Sequence, residues 1–152
     1  MEREEVLNGK IGLRLVIAAK LTRTYAIQKF YAEKYEITPE QFTVLNALSE
    51  SEWLYQRQIS AITLKDRANI TRIINILEKK GYIKKVVDTT SRKIHKIYIT
   101  EEGKRVRNKV LPIILNIWAM TSENISEDEM DKFIETLDKI RENLINKTTL
   151  QL

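Results

Sequence analysis

Apolar residues recur every three or four positions between Glu4 and Tyr35, at Leu7, Ile11, Leu15, Ala18, Leu21 and Tyr25. This spacing predicts one long helix. Leu13, Val16, Ile17 and Ile27 add a second apolar side. A stripe that wide predicts burial on more than one face, against its own domain and against a second chain. Gly9 and Gly12 weaken the opening turns, which are expected to be frayed or bent.

A helix start follows at Ile37-Thr38-Pro39-Glu40-Gln41. Thr38 suits the N-cap, Pro39 the first helical position and Gln41 the third position of a capping box. The helix continues through Phe42, Leu45 and Leu48 and stops between Ser49 and Glu52. Trp53-Leu54-Tyr55 predicts one brief strand. Gln56 to Ile62 predicts a short helix with Ile59 and Ile62 facing inward. After a break at Thr63 to Asp66, a further helix runs from Arg67 to Lys80. Asp66 is its N-cap, Ile70, Ile73, Ile74 and Leu77 are its inward positions, and Gly81 closes it. Two helices joined by so short a turn form a helix-turn-helix unit.

The period then changes from helical to alternating. Tyr82 to Val87 and His95 to Ile99 predict two strands, joined by the polar turn Asp88-Thr89-Thr90-Ser91-Arg92-Lys93. Thr100-Glu101-Glu102-Gly103 opens another helix, in which Pro112 is expected to make a kink. Ser126-Glu127-Asp128-Glu129 is a capping box for a last helix with Met130, Phe133, Ile134, Leu137, Ile140 and Leu144 at helical spacing. The expected fold is mainly α with a small β-hairpin wing. A winged helix-turn-helix over 37–100 is flanked by dimerisation helices over 1–36 and 101–152.

Composition agrees with a packed domain: 43% hydrophobic and 31% charged residues, with only 4 Gly and 2 Pro, leave little room for disorder or long loops. No apolar run approaches the roughly 20 residues that span a bilayer. The N-terminus lacks the basic-then-apolar order of a signal peptide, so a cytoplasmic location is expected. The absence of cysteine excludes disulfides, thiolate metal sites and thiol switches.

Charge changes the picture more. Residues 55–109 carry 15 Lys/Arg against 5 Asp/Glu, whereas the rest carries 11 against 16. A basic middle between acidic ends suggests that one region meets a polyanion. Solvated helix faces would produce the same totals. Catalytic chemistry finds no support: a single histidine, His95, builds neither a metal site nor a nucleophile relay, and no Gly-rich phosphate loop is present. No catalytic residue, cofactor or metal ligand is expected.

A helix that enters the DNA major groove needs polar or cationic residues on its first two turns. Arg67, Ala68, Asn69, Thr71 and Arg72 supply them. Arg67 and Arg72 suit guanine edges or phosphates, Asn69 an adenine edge, and Thr71 a phosphate or a thymine methyl. Arg92 and Lys93 at the hairpin tip suit the narrow minor groove, with Lys84, Lys85 and Lys96 nearby. The bland alternative leaves all of these as solvated surface.

Together these residues resemble the MarR family of bacterial regulators. The resemblance rests on Ile37-Thr38-Pro39-Glu40-Gln41-Phe42-Thr43-Val44-Leu45, on Asn69 through Ile83, on Asp88 to Lys93, and on Ile97-Tyr98-Ile99-Thr100-Glu101-Glu102-Gly103. It implies a homodimer held by the terminal helices and bound to double-stranded DNA of pseudo-palindromic sequence. It also implies Arg67 to Arg72 in the major groove, Arg92 in the minor groove, and regulation by a ligand that shifts the two heads. Ser91 stands where family members often carry an Asp that orients the wing arginine, so Asp88 is expected to take that part. Oxidant sensing through cysteine is excluded. Tyr25, Phe30, Tyr31 and Trp118 are read first as core packing and second as the lining for a small aromatic effector. The leading expectation is a ligand-responsive repressor. A non-specific architectural DNA protein and a winged-helix protein-interaction module remain open alternatives.

Overall fold

A computed structural model describes residues 2–145, 147 and 148, with the side chains of 2–9 and 91–93 outside the described ones. The elements are α1 (Glu2–Ala32), α2 (Pro39–Ser49), β1 (Leu54–Tyr55), α3 (Gln56–Thr63), α4 (Arg67–Lys79), β2 (Ile83–Asp88), β3 (Ser91–Ile99), α5 (Glu101–Thr121) and α6 (Glu127–Ile145). They divide into two compact units, residues 1–39 and 40–152.

The first unit is dominated by α1, which runs unbroken across Gly9 and Gly12 rather than bending there. It ends where Lys34 adopts a left-handed conformation (φ 54°) and Tyr35 N–H donates to the Phe30 carbonyl at 3.0 Å. Phe30 is buried and packs on Tyr35 with ring centroids 5.5 Å apart. Ile11, Leu13, Val16, Ile17, Leu21 and Tyr31 are exposed, so the core reading of Tyr31 does not hold within one chain.

The second unit is built around α4. Its positions Ile70, Ile73, Ile74 and Leu77 are buried, together with Val44, Leu45 and Leu48 of α2 and Ile59 of α3. The strands form an antiparallel sheet in the order β1-β3-β2. Leu54 pairs with Ile97, and Ile83 with Ile99, which places apolar residues on the inner face. Only the first half of α3's expected inward pair is inward: Ile59 is buried but Ile62 is exposed, because the helix ends at Thr63 and Ser60 takes the second buried position.

Gly81 (φ 75°) lets the chain leave α4 and turn directly into the sheet. At Gly103 a Cβ would lie 2.1 Å from the Tyr82 carbonyl oxygen, so only glycine lets α5 start this close to β2. Thr100 ties the same corner, accepting from Gly103 N–H at 3.0 Å and donating to the Gly81 carbonyl at 2.7 Å. The Thr-x-x-Gly motif is therefore a packing joint. Helix α5 continues through Pro112 as one element. Ser126 and Glu129 form the expected reciprocal cap at the approach to α6. No residue of α6 is buried, and Phe133, Ile134 and Leu144 are about half exposed, as is Trp118 of α5. No helix among the described residues is long and apolar enough to cross a membrane.

Candidate nucleic-acid interface

The start of α4 is held by its cap. Asp66 accepts from Asn69 N–H at 2.9 Å and from the Asn69 side-chain amide at 2.5 Å. These bonds, the backbone one foremost, hold the Asp66 carboxyl below its usual range. One Asn69 amide proton is thus engaged at the cap, while the residue itself stays exposed. Thr71 is engaged as well. Its hydroxyl donates to the Arg67 carbonyl at 2.8 Å and accepts from Gln56 Nε2 at 2.6 Å.

Arg67 and Arg72 differ from both. They are exposed, and among the described residues their guanidinium groups make no ion pair and no hydrogen bond. One shallow groove runs along α4 past Ala68, Thr71, Arg72, Asn75, Ile76 and Lys79. On the other side, a cleft of about 640 Å³ lies between α3, α4 and β3, lined in part by Gln56, Arg57, Arg67, Thr71, Lys85 and His95. Four of those six are cationic or can become so, and α4 contributes to both concavities. An extended polyanion laid along α4 would meet both.

The cations flanking the hairpin serve the fold. Lys85 pairs with Glu78 at 2.7 Å and donates to Asn75 Oδ1 at 2.8 Å, tying β2 to α4. Lys96 sits 4.4 Å from the centre of the Trp53 ring, and Lys84 sits 5.4 Å from that of Tyr98. These three cations therefore already have partners within the chain.

The wing has an anchor that sequence reasoning missed. Asp88 is buried and accepts three bonds: from the Tyr55 hydroxyl at 2.5 Å, from Thr90 N–H at 2.9 Å and from the Thr90 hydroxyl at 2.9 Å. Tyr55 and then Thr90 stabilise the charged form and hold the carboxyl at about 2. The same bond pushes the Tyr55 hydroxyl up. The expected contact between Asp88 and Arg92 falls outside the described residues. Arg92 and Lys93 themselves lie, as side chains, outside the described residues; their backbone belongs to β3, where Ser91 pairs with Asp88. Gln56, Arg57 and Tyr55 were also missed. The available signal was their position at the start of the first helix of the helix-turn-helix, which faces the start of the second. His95 is exposed, and no cluster of metal-ligating side chains occurs among the described residues.

A three-helix core, a β wing and a cationic helix start define a winged-helix DNA-binding transcriptional regulator. The sequence model of the MarR family matches residues 35–94, and the chain is similar to members of that family. The transcriptional regulator SarZ of Staphylococcus haemolyticus is 24% identical over 148 residues, which is 97% of each chain. The crystal structure of the transcriptional regulator SlyA superposes with a TM-score of 0.80 at 25% identity, over 88% of this chain and 93% of that one. A DNA complex of MepR from S. aureus gives 0.79 at 21% identity, over 87% and 96%. These relatives are regulators, not enzymes.

Proposed function

We propose that two copies of this chain read a pseudo-palindromic DNA site and repress transcription from it. The observation that carries this reading is the pair of exposed guanidinium groups, Arg67 and Arg72, that have no partner among the described residues and stand at the start of a helix whose back is locked in the core. Ala68, Asn69 and Thr71 complete the major-groove face, and Arg92 and Lys93 reach the minor groove. Arginine in that setting takes guanine edges or phosphates. The MepR–DNA complex, with the same fold, supports DNA as the partner.

Dimerisation rests on the apolar surface left open. Leu13, Val16 and Leu21 of α1, Trp118 of α5, and Phe133, Ile134 and Leu144 of α6 are each at least half exposed. A monomer that kept this much aliphatic and aromatic surface in water would associate. A two-fold dimer fixes the distance between two reading heads and so the spacing of two half-sites. The likeness in fold to BpsR of Bordetella bronchiseptica, whose DNA binding is regulated by 6-hydroxynicotinic acid, supports relief of repression by a small aromatic ligand; a thermal-shift screen of aromatic acids without a hit would speak against that part.

Selection from a random duplex library tests the central reading. Enrichment of an inverted-repeat sequence is expected. Equal retention of all duplexes, with steep salt dependence, would instead show a coating protein.

A further inference from the structure

Resting on the DNA-reading role proposed above, we infer that Thr71 recognises the 5-methyl group of a thymine, and that Gln56 is the positioning residue that turns it to do so. A threonine at a DNA-facing position has two faces to offer, a hydroxyl that can bond a phosphate or a base edge, and a methyl that can only make apolar contact. Here the hydroxyl proton is committed within the protein, and the oxygen is held by a second bond. Its proton goes to the Arg67 carbonyl at 2.8 Å, and it accepts from Gln56 Nε2 at 2.6 Å. Turning the hydroxyl outward would break both bonds. Thr71 itself is exposed, and with its hydroxyl held inward by these two bonds its methyl is the group assigned to the DNA.

The neighbours agree. Ala68, one turn earlier on the same groove, presents only a Cβ methyl. The polar residue between them, Asn69, has one amide proton committed to Asp66 at 2.5 Å. Further along, Asn75 Oδ1 is occupied by Lys85. The groove thus sets two methyl-bearing side chains, Ala68 and Thr71, beside the Arg72 guanidinium. In the major groove, thymine is the base that presents a methyl, and alanine and threonine methyl groups are apolar partners for it. Guanine beside it would suit the arginine.

The side chain of Gln56 crosses from the first helix of the helix-turn-helix to the second. Its amide therefore sets a rotamer 15 residues away in the chain, and with it which face of Thr71 the DNA meets.

The experiment uses the full-length protein and the duplex enriched from a random library. Each thymine of that duplex is replaced in turn by uracil, which removes the methyl and leaves every hydrogen-bonding edge intact. Wild-type protein should bind about fourfold more weakly at one position per half-site, and roughly fifteenfold more weakly with both half-sites changed, the worth of one methyl burial each. Thr71→Ser should abolish that difference, whereas Thr71→Val should retain it. Gln56→Ala should shrink it; a purely structural Gln56 would weaken thymine and uracil duplexes equally. An enriched duplex in which uracil is tolerated everywhere overturns the methyl reading and leaves the DNA-reading role standing. Failure to enrich any duplex overturns both.

Discussion

Helices α4 and α6 carry the same kind of apolar repeat and meet opposite fates. In α4 the four inward isoleucine and leucine positions are all buried, and the polar face is left outward. In α6 no residue is buried, and its large apolar side chains stand half in water. Periodicity specifies which face is to be covered, not what covers it. Helix α4 is covered within one chain; the apolar face of α6 is not, and we assign it to the proposed dimer. The contrast predicts that damage to α4 acts on the folding of each chain, and damage to α6 on association.

The sharpest way to break that contrast is to cut both faces. Leu77→Ala, in the core of α4, should lower stability by about 2–5 kcal/mol in chemical denaturation, independent of protein concentration. Ile134→Glu in α6 should leave the far-ultraviolet circular dichroism of the chain intact, convert a dimer to a monomer in sedimentation, and remove the rise of Tm with protein concentration that dimers show. A concentration-independent Tm for the wild-type protein would sink the assignment of α6 to a dimer.

A second measurement stays on the outward face of α4. Arg72→Ala removes a guanidinium that no described protein group holds, so stability should move by less than about 0.5 kcal/mol. DNA affinity should fall by about 1–3 kcal/mol, with relaxed preference at one base position if the contact is to a base edge. If the loss were instead uniform across sequences with a shallower salt dependence, Arg72 would be a phosphate contact.

Much of this division was legible in the sequence, and the exceptions share a cause. The inward set of α4, the Asp66 cap, the brief β1 strand and the Thr100 cap all follow from spacing within about ten residues, whereas the contact of Thr100 and Gly103 with Gly81 and Tyr82 does not. Ile62 was misplaced because α3 is only two turns long, too short for periodicity to settle its faces. The roles of Asp88 and Gln56 were hidden because their partners lie 33 and 15 residues away. Asp88 reads as a turn residue until the fold brings the Tyr55 hydroxyl to it. Likewise Lys84, Lys85 and Lys96 read as DNA cations until the rings and Glu78 appear beside them.

Asp88 makes the wing side of the contrast testable by acid. Its carboxyl is held at about 2 by Tyr55 and Thr90, against about 3.9 in an unfolded chain. A group whose folded value is depressed contributes stability above the unfolded value and loses it as pH falls through the folded one. Its contribution is therefore complete above about pH 4 and disappears toward pH 2. Carboxyl NMR should show Asp88 titrating at the acid end of that window in wild type and higher in Tyr55→Phe. Asp88→Asn should flatten the acid limb of the stability curve between those values. An Asp88 that titrates in the ordinary range would mean that the Tyr55 bond does not persist in solution.

The smallest expected effect lies in the turn between the two helices of the reading head. Leu64 sits there with φ 50° and ψ 36°, a left-handed conformation, while its N–H donates to the Ser60 carbonyl. A side chain with a Cβ pays about 1–2 kcal/mol in that region. Leu64 recovers little by packing, since it is 59% exposed. Glycine would relieve the strain but lose about 0.5–1 kcal/mol through its freer unfolded chain. The two nearly offset, so Leu64→Gly should gain about 0.5 kcal/mol, a rise in Tm of roughly 1–2 °C. Leu64→Ala keeps the Cβ and the strain and should gain nothing. A gain in Leu64→Ala equal to that in Leu64→Gly would show that the exposed leucine side chain, not the backbone, limits this turn. Neither variant touches the inward face of α4, and neither should alter the thymine-over-uracil preference at Thr71.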